Sequence, residues 1–389
     1  MDDLNYDIAV IGGGIVGTTA AYFLAREGMK VALVERGRLA GGTSSKSFAW
    51  INGTSKTADE NYHRLNARGL AAYCELAVEF GEDALGLNPA GSLNVVRRSD
   101  AAGYAAAKER ARVLAEFSYP ATWVDHKVLG AMEPHVNFPD DAEALYAMAD
   151  PCLNAPHFVR FMADQVRARG GTVYEDCAAQ TLEVRDDGQV TGLVTEKATL
   201  HTERVLLAAG PGTPEVLSEL TGYDAYAARF PLRKVPGLLL RTPPNSPHRL
   251  IRHVLYLSMD AEIHMLPDFN CGLKIGADDT DGMVEADSAL EHLHNVAAIL
   301  LDRAKDYLPG FAGRDYLDKC ELTVGVRPFP EDGHSLAGAL PGAKGLYLIA
   351  THSGITLAPA IGGLMAELIT TGATPEMLKP FTLERIKGF

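Results

Sequence analysis

Three glycines and one acid carry the first chemical signal. Gly12, Gly14 and Gly17 in "IGGGIVGT" match the spacing GxGxxG, and Glu35 closes the later run "VALVE". Gly12 permits a tight turn, Gly14 lets backbone approach a pyrophosphate, and Gly17 lets a helix pack closely on a strand. A helix N-terminus at that place offers free N–H groups and a partial positive charge to phosphates. Glu35 can accept hydrogen bonds from a ribose, and its charge disfavours a 2′-phosphate. Further along, Lys274 lies in "CGLKIGADD" with Gly272 and Gly276 on either side. On a strand these three share one face while Leu273 and Ile275 point the other way. The two glycines then leave bare backbone where a flat ligand has room. The bland reading is a lysine on a wet strand face. Arg327 in "TVGVRP" shares a strand face with Thr323 and Gly325, as a surface or ion-paired arginine unless a ligand calls on it. His352 sits in the glycine turn "THSG", where a following helix N-terminus would stabilise an anion.

The surrounding elements must hold these residues in place. "YDIAVIGGGIVGTTAAYFLAREGMKVALVERG" reads as strand, glycine turn, helix and strand, ending on Glu35 and Arg36. The Gly/Ser/Thr-rich stretch Gly41–Gly53 is a loop, but Phe48, Trp50 and Ile51 are unusual in a solvated one, so it is either a surface loop or a ligand cover. Helices are expected over Ala58–Phe80, Ala101–Glu116, His157–Arg169 and Asp287–Tyr307. "TVYEDC" and "QVTGLVTE" alternate like strands, with "DDG" as a hairpin signal, and "RVLLAAGPGT" is a buried strand running into a turn at Ala209 and Gly210. Between Phe230 and Ala277, four short strand-like runs separated by turn residues indicate an antiparallel sheet. "GLYLIATHSGITLAPAIGG" again reads as buried strand, turn and helix.

The fold class is therefore α/β, α+β overall: a Rossmann-type nucleotide domain with an inserted antiparallel-sheet substrate domain. The expected nucleotide domain comprises residues 1–83, 150–222 and 320–389, and the substrate domain residues 84–149 and 223–319. A cradle assembled from three separated pieces suits a bound FAD better than a mobile NAD. At 389 residues the chain exceeds the usual growth limit of one core. The net charge of −14 argues against nucleic acid and anionic membrane as partners. Five widely spaced cysteines, without a CxxC pair, suggest neither a disulfide framework nor a metal site and point to a reducing, cytoplasmic setting. The segment before the first apolar run is acidic, unlike a signal peptide, and no apolar stretch is long enough for an integral membrane segment.

Four stretches together resemble the flavin-dependent amine and amino-acid oxidoreductases, the family of D-amino-acid oxidase, glycine oxidase and monomeric sarcosine oxidase. They are the N-terminal cradle, "RVLLAAGPGT", "FNCGLKIGADD" and "GVRPFPEDGHSLAGALPGAKGLYLIATHSGITLAP". The resemblance implies FAD-dependent oxidation of a C–N bond in a small amino acid or secondary amine. In it, hydride passes to flavin N5 and water hydrolyses the resulting imine, with oxygen or a redox partner accepting the electrons and an oxidase favoured. It implies cofactor contacts from Gly12, Gly14, Ile15, Val16, Gly17, Glu35, Arg36, Thr43, Ser44, Ser45, Ala209 and Gly210. Ser353, Gly354, Ile355 and Thr356 would face the flavin ring. It also implies three catalytic residues: Arg327 gripping a substrate carboxylate, Lys274 promoting reaction with oxygen, and His352 beside the flavin.

This sequence departs from the family at three places. "GVRPFP" lacks the cysteine that holds the flavin of monomeric sarcosine oxidase, which implies noncovalent FAD. "ADD" follows the lysine where that enzyme has a histidine, and Thr356 stands in place of its turn lysine. Its carboxylate-binding set is therefore not carried over. A 2-hydroxy-acid dehydrogenase, or a flavoprotein subunit passing electrons to a partner, are the alternative readings. The roles of Trp50, Tyr256 and His264 stay open.

Overall fold

The computed structural model describes residues 4–220, 222–244, 250–259 and 261–386. The nucleotide sheet has six strands in the order Leu336–Ala339, Leu346–Ala350, Val205–Leu207, Ile8–Ile11, Val31–Val34, Thr172–Tyr174. All neighbours are parallel except the antiparallel edge strand Leu336–Ala339. These strands read as unbroken apolar runs because both sheet faces are covered. Ile8, Val10, Leu33, Leu206 and Ile349 pack on one side against helices Ile15–Arg26, Glu60–Phe80, Ala155–Ala168 and Gly354–Thr371. Ala9, Ile11, Ala32, Val34, Val205 and Leu207 pack on the other, against a three-stranded sheet of Ala179–Val184, Val190–Thr195 and Thr199–His201.

The second sheet has eight strands in the order Glu321–Pro330, Leu232–Arg241, Leu273–Gly276, Glu262–Pro267, Val254–Ser258, Ser92–Arg97, Ala142–Ala147, Ala121–Val124. It is antiparallel apart from one parallel seam between Val254–Ser258 and Ser92–Arg97. Residues directly opposite in the ladder share a face, so the register sorts the side chains. Leu93, Leu255, Leu257, Ile263, Met265, Leu273, Ile275, Leu238 and Leu240 form one face, buried under helix Leu290–Tyr307. The opposite face carries Tyr256, His264, Lys274, Gly276, Gly237, Gly325 and Arg327.

Several sequence boundaries shift. Glu321–Pro330 pairs along its whole length with Leu232–Arg241, so the strand bearing Arg327 belongs to the large sheet rather than to a nucleotide piece beginning at 320. Its partner lies far earlier in the chain, and nothing local reveals that. Thr172–Tyr174 is not part of the hairpin; it is the edge of the nucleotide sheet, and Ala179–Val184 is the strand that pairs across the "DDG" turn. Residues 84–149 contribute three strands, Ser92–Arg97, Ala121–Val124 and Ala142–Ala147, to the large sheet. Among the described residues one helix, Gly354–Thr371, is long and apolar enough to cross a membrane; it is packed between Ile15–Arg26 and Glu60–Phe80 as a core helix.

Candidate active site

The glycine cradle is built by contacts that a side chain would destroy. Gly12 has φ 116°, and a Cβ there would lie 2.4 Å from the Ala208 carbonyl oxygen. A Cβ on Gly17 would lie 2.0 Å from the Gly12 carbonyl oxygen. Gly14 is the N-cap of helix Ile15–Arg26, contributes no side-chain cap, and is followed by no acid in the first turn. Ser44 reaches in from the following loop, and its Oγ accepts from the Ile15 N–H at 2.9 Å. Glu35 stands at the same turn and accepts from the N–H groups of Gly13 and Gly37, at 2.6 and 2.9 Å. Ala209 abuts Gly12, with its Cα 3.3 Å from where a Gly12 Cβ would lie, and Gly210 has φ 56°. Arg36 and Ser45 are exposed; Ser45 Oγ is turned back to the Gly42 carbonyl.

A second helix N-terminus meets the first. Gly354 opens the final helix, Ser353 supplies no side-chain cap to it, and its first turn holds no acid. A Cβ on Gly354 would lie 3.2 Å from Val16, so the starts of the two helices touch. The turn is held from outside. Tyr62 Oη donates to Ser353 Oγ at 2.9 Å, Tyr73 Oη donates to the Ile355 carbonyl at 2.6 Å, and the Asn52 N–H donates to Thr356 Oγ1 at 3.1 Å.

Loop Gly41–Gly53 bridges the two sheets, which accounts for its apolar residues. Thr43 Oγ1 donates to the Val326 carbonyl at 2.6 Å, and the Gly53 N–H donates to Tyr119 Oη at 3.0 Å. Phe48 and Trp50 pack with Val254 and Leu266 on the large sheet. Their rings lie 5.9 Å from His264 and 6.2 Å from Tyr256, and Tyr256 stacks on His264 at 4.1 Å. His264 Nε2 lies 3.0 Å from Glu262 Oε1, outside hydrogen-bonding geometry, and the His264 ring is the largest of the influences holding the Glu262 carboxyl below its usual range.

Lys274 is partly buried rather than extended into solvent. Its Nζ donates to the Ser47 carbonyl at 3.1 Å, and burial pushes its pKa down, with Asp268 opposing and Arg241 adding to the shift. It also lines a cleft with Ser45, Asn154, Arg241, Asp268 and Thr323. Arg327 donates from Nη2 to Asp281, and its Nη1 lies 3.8 Å from Asp278, while Nε is buried without a hydrogen-bond partner. The register separates the two cations: Lys274 lies level with Arg241 and Glu321, and Arg327 lies six residues along that strand, level with Val235. At about 3.3 Å per residue this is roughly 20 Å, so one small ligand cannot be held by both.

His352 belongs to the Arg327 end. Its ring lies 4.6 Å from Phe329, the second residue after Arg327. Burial, with Lys56 and Arg327 adding, pushes its imidazole down to about 3. Lys56 is a residue that the sequence reading missed, because "TSKTAD" looks like solvated loop. It is half-buried, and burial lowers its pKa while Asp278 opposes that shift. Asp281 was missed as well, since only folding brings it to Arg327.

The family named for FAD-dependent oxidoreductases, DAO, matches residues 7–368. The chain belongs to this family. It is 26% identical to a glycine oxidase of Geobacillus kaustophilus strain HTA426, over 99% of this chain and 98% of that protein. The crystal structure of glycine oxidase from Geobacillus kaustophilus superposes with a TM-score of 0.81 at 24% identity, covering 99% of this chain and 100% of that one. L-proline dehydrogenase from P. horikoshii superposes with a TM-score of 0.79 at 18% identity, covering 96% and 95%. These likenesses establish the shared fold. The residues of this FAD-dependent oxidoreductase also fit the cofactor. The side-chain-free cradle and two helix N-termini without acids suit an anionic dinucleotide, and the Glu35 carboxylate at the end of the second strand suits a ribose.

Proposed function

We propose that this oxidoreductase oxidises the C–N bond of a small amino acid or secondary amine, and that the imine so formed is released to hydrolysis. FAD, held noncovalently, would accept the hydride. Gly12, Gly14 and Gly17 with Ser44 and Glu35 would hold its adenine end, and Ser353–Thr356 would face its ring. The observation that carries the reading is the shared face of the large sheet. Arg327 lies there beside Phe329 and His352, next to the start of the final helix.

The division of labour follows from charge. Arg327 would orient a substrate carboxylate through Nε and a terminal nitrogen. His352, neutral at working pH, would orient by hydrogen bonding rather than by charge. No group need be a strong base: an amine that arrives unprotonated reacts once it is positioned, and the closed packing of Phe48, Trp50 and Tyr256 limits water. Lys274, at the far end of the face, fits a separate task, favouring oxygen over another electron acceptor by stabilising developing negative charge. Cys320 is the cysteine nearest in sequence to Arg327, and burial raises its thiol to about 11, which disfavours the thiolate that attachment to a flavin needs. Five free cysteines support a reducing compartment, the cytoplasm.

Anaerobic titration of the yellow protein tests the reading. Glycine, N-methyl amino acids, D-amino acids, prolines and opines form the panel, and at least one should bleach the flavin. Bleaching by hydroxy acids alone would replace this reading with hydroxy-acid oxidation.

A further inference from the structure

Arg327, the residue read above as the carboxylate grip, already holds a carboxylate of its own chain. Asp281 lies on the short helical segment Asp278–Met283, directly after the strand that bears Lys274, and accepts from Arg327 Nη2. It is seated on bare backbone. A Cβ on Gly237 would lie 2.5 Å from Asp281 Oδ1, and the atoms nearest to it all belong to the Asp281 carboxylate. Gly237 stands two residues from Val235, the ladder partner of Arg327. The Asp281 side chain is 16% exposed, whereas Asp278, the second acid near Arg327, is 60% exposed and 3.8 Å away. The grip on Asp281 is incomplete, since Arg327 Nε is buried and unpartnered. A guanidinium edge that could bind a carboxylate through two parallel hydrogen bonds thus makes one.

We propose that Asp281 is a built-in occupant of the carboxylate seat on Arg327, which a substrate carboxylate must displace, and that it thereby sets the enzyme's affinity for carboxylate-bearing amines. The inference rests on the proposed role of Arg327. Displacement exchanges one charge-assisted pair for another, so affinity reflects only the surplus of a two-point over a one-point contact. Protonation of Asp281 has the same effect as displacement. Burial raises its carboxyl to about 6, against the lowering influence of Arg327, with Asp278 adding to the rise and His264 opposing it. Arg327, Asp278 and His264 are the charged or titratable groups that act on it most strongly. The bound form with a neutral Asp281 is populated below that pH, so carboxylate affinity in the wild type strengthens as pH falls from 8 to 6.

The probe is acetate, titrated into the FAD-loaded protein and followed by perturbation of the flavin spectrum. It binds without turnover and therefore does not depend on knowing the substrate. Asp281→Asn should tighten acetate binding roughly tenfold or more at pH 8 and flatten its dependence on pH between 6 and 8. Gly237→Ala, which removes the seat and leaves Asp281 intact, should tighten binding in the same direction. Adding Asp281→Asn to Arg327→Met should change nothing further. Unchanged or weaker binding in both Asp281→Asn and Gly237→Ala overturns the proposal. If Arg327→Met meanwhile abolishes binding, the carboxylate role of Arg327 survives that failure; if Arg327→Met binds acetate as the wild type does, both fall.

Discussion

At the residue scale, charge state decides what each side chain of the site contributes. Burial holds His352 well below its ordinary range, so its imidazole is neutral around pH 6.5. Flavin reduction at saturating substrate should accordingly show no inflection from it near pH 6.5, and His352→Asn should leave the shape of the pH profile unchanged while altering its height. An inflection lost on substitution would mean that the imidazole titrates during turnover. Arg327→Met should raise the KM of a carboxylate-bearing amine about 10- to 100-fold, as loss of a charged hydrogen bond does. Steady-state kinetics on such a substrate beside its amide separates this from a general loss. Lys274→Met should leave anaerobic reduction intact and slow reoxidation by oxygen at least roughly tenfold; stopped-flow mixing with air-saturated buffer measures it. Lys274 and Arg327 were legible because each interrupts a strand pattern beside glycines. Lys56 and Asp281 were not: a lysine in a polar loop and an aspartate in an acidic run look solvated until a distant strand covers them.

Elements depend on how closely they approach. Helix Glu60–Phe80 lies against the start of the final helix at Gly69, where a Cβ would sit 2.2 Å from the Thr356 carbonyl oxygen. Gly69→Ala should therefore push the turn His352–Thr356 away and weaken FAD retention, read as flavin content after dialysis. Gly130→Ala is the contrasting case. It lies in helix His126–Met132 with nothing within 4 Å of its added methyl, and should stabilise the protein by about 0.5–1 kcal/mol. The nucleotide strands were readable because layers on both faces make them continuously apolar. Ser92–Arg97 and Ala121–Val124 were harder. Asn94 turns toward the site face beside Tyr256, and Trp123 binds Glu143 and lies under Lys108, so neither strand shows clean alternation. The misplaced boundary at 320 has the same origin, a ladder whose partner is remote in sequence.

At the scale of the whole molecule, one acid ties the large sheet to the bridging loop. Asp150 is fully buried and accepts from Ser92 Oγ at 2.9 Å and from Tyr119 Oη, which in turn accepts from Gly53 in the bridging loop. Burial raises it to about 7 despite these hydrogen bonds. The unfolded chain loses this proton near pH 4, so between about 4 and 7 the folded state binds more protons than the unfolded one. Stability contributed by Asp150 is thus present at low pH and declines as pH rises through that window. Thermal melts at a series of pH values should show this decline in the wild type and a shallower one in Asp150→Asn. Chain order adds a consequence for the protein's life history. The cradle strand Ile8–Ile11 is made well before its neighbour Val205–Leu207, and Leu346–Ala350 is made later still. Such remote pairings form slowly. The cofactor seat therefore stays unfinished until Leu346–Ala350 has been made and has docked, and until then the apolar faces of its neighbouring strands lie open to proteases.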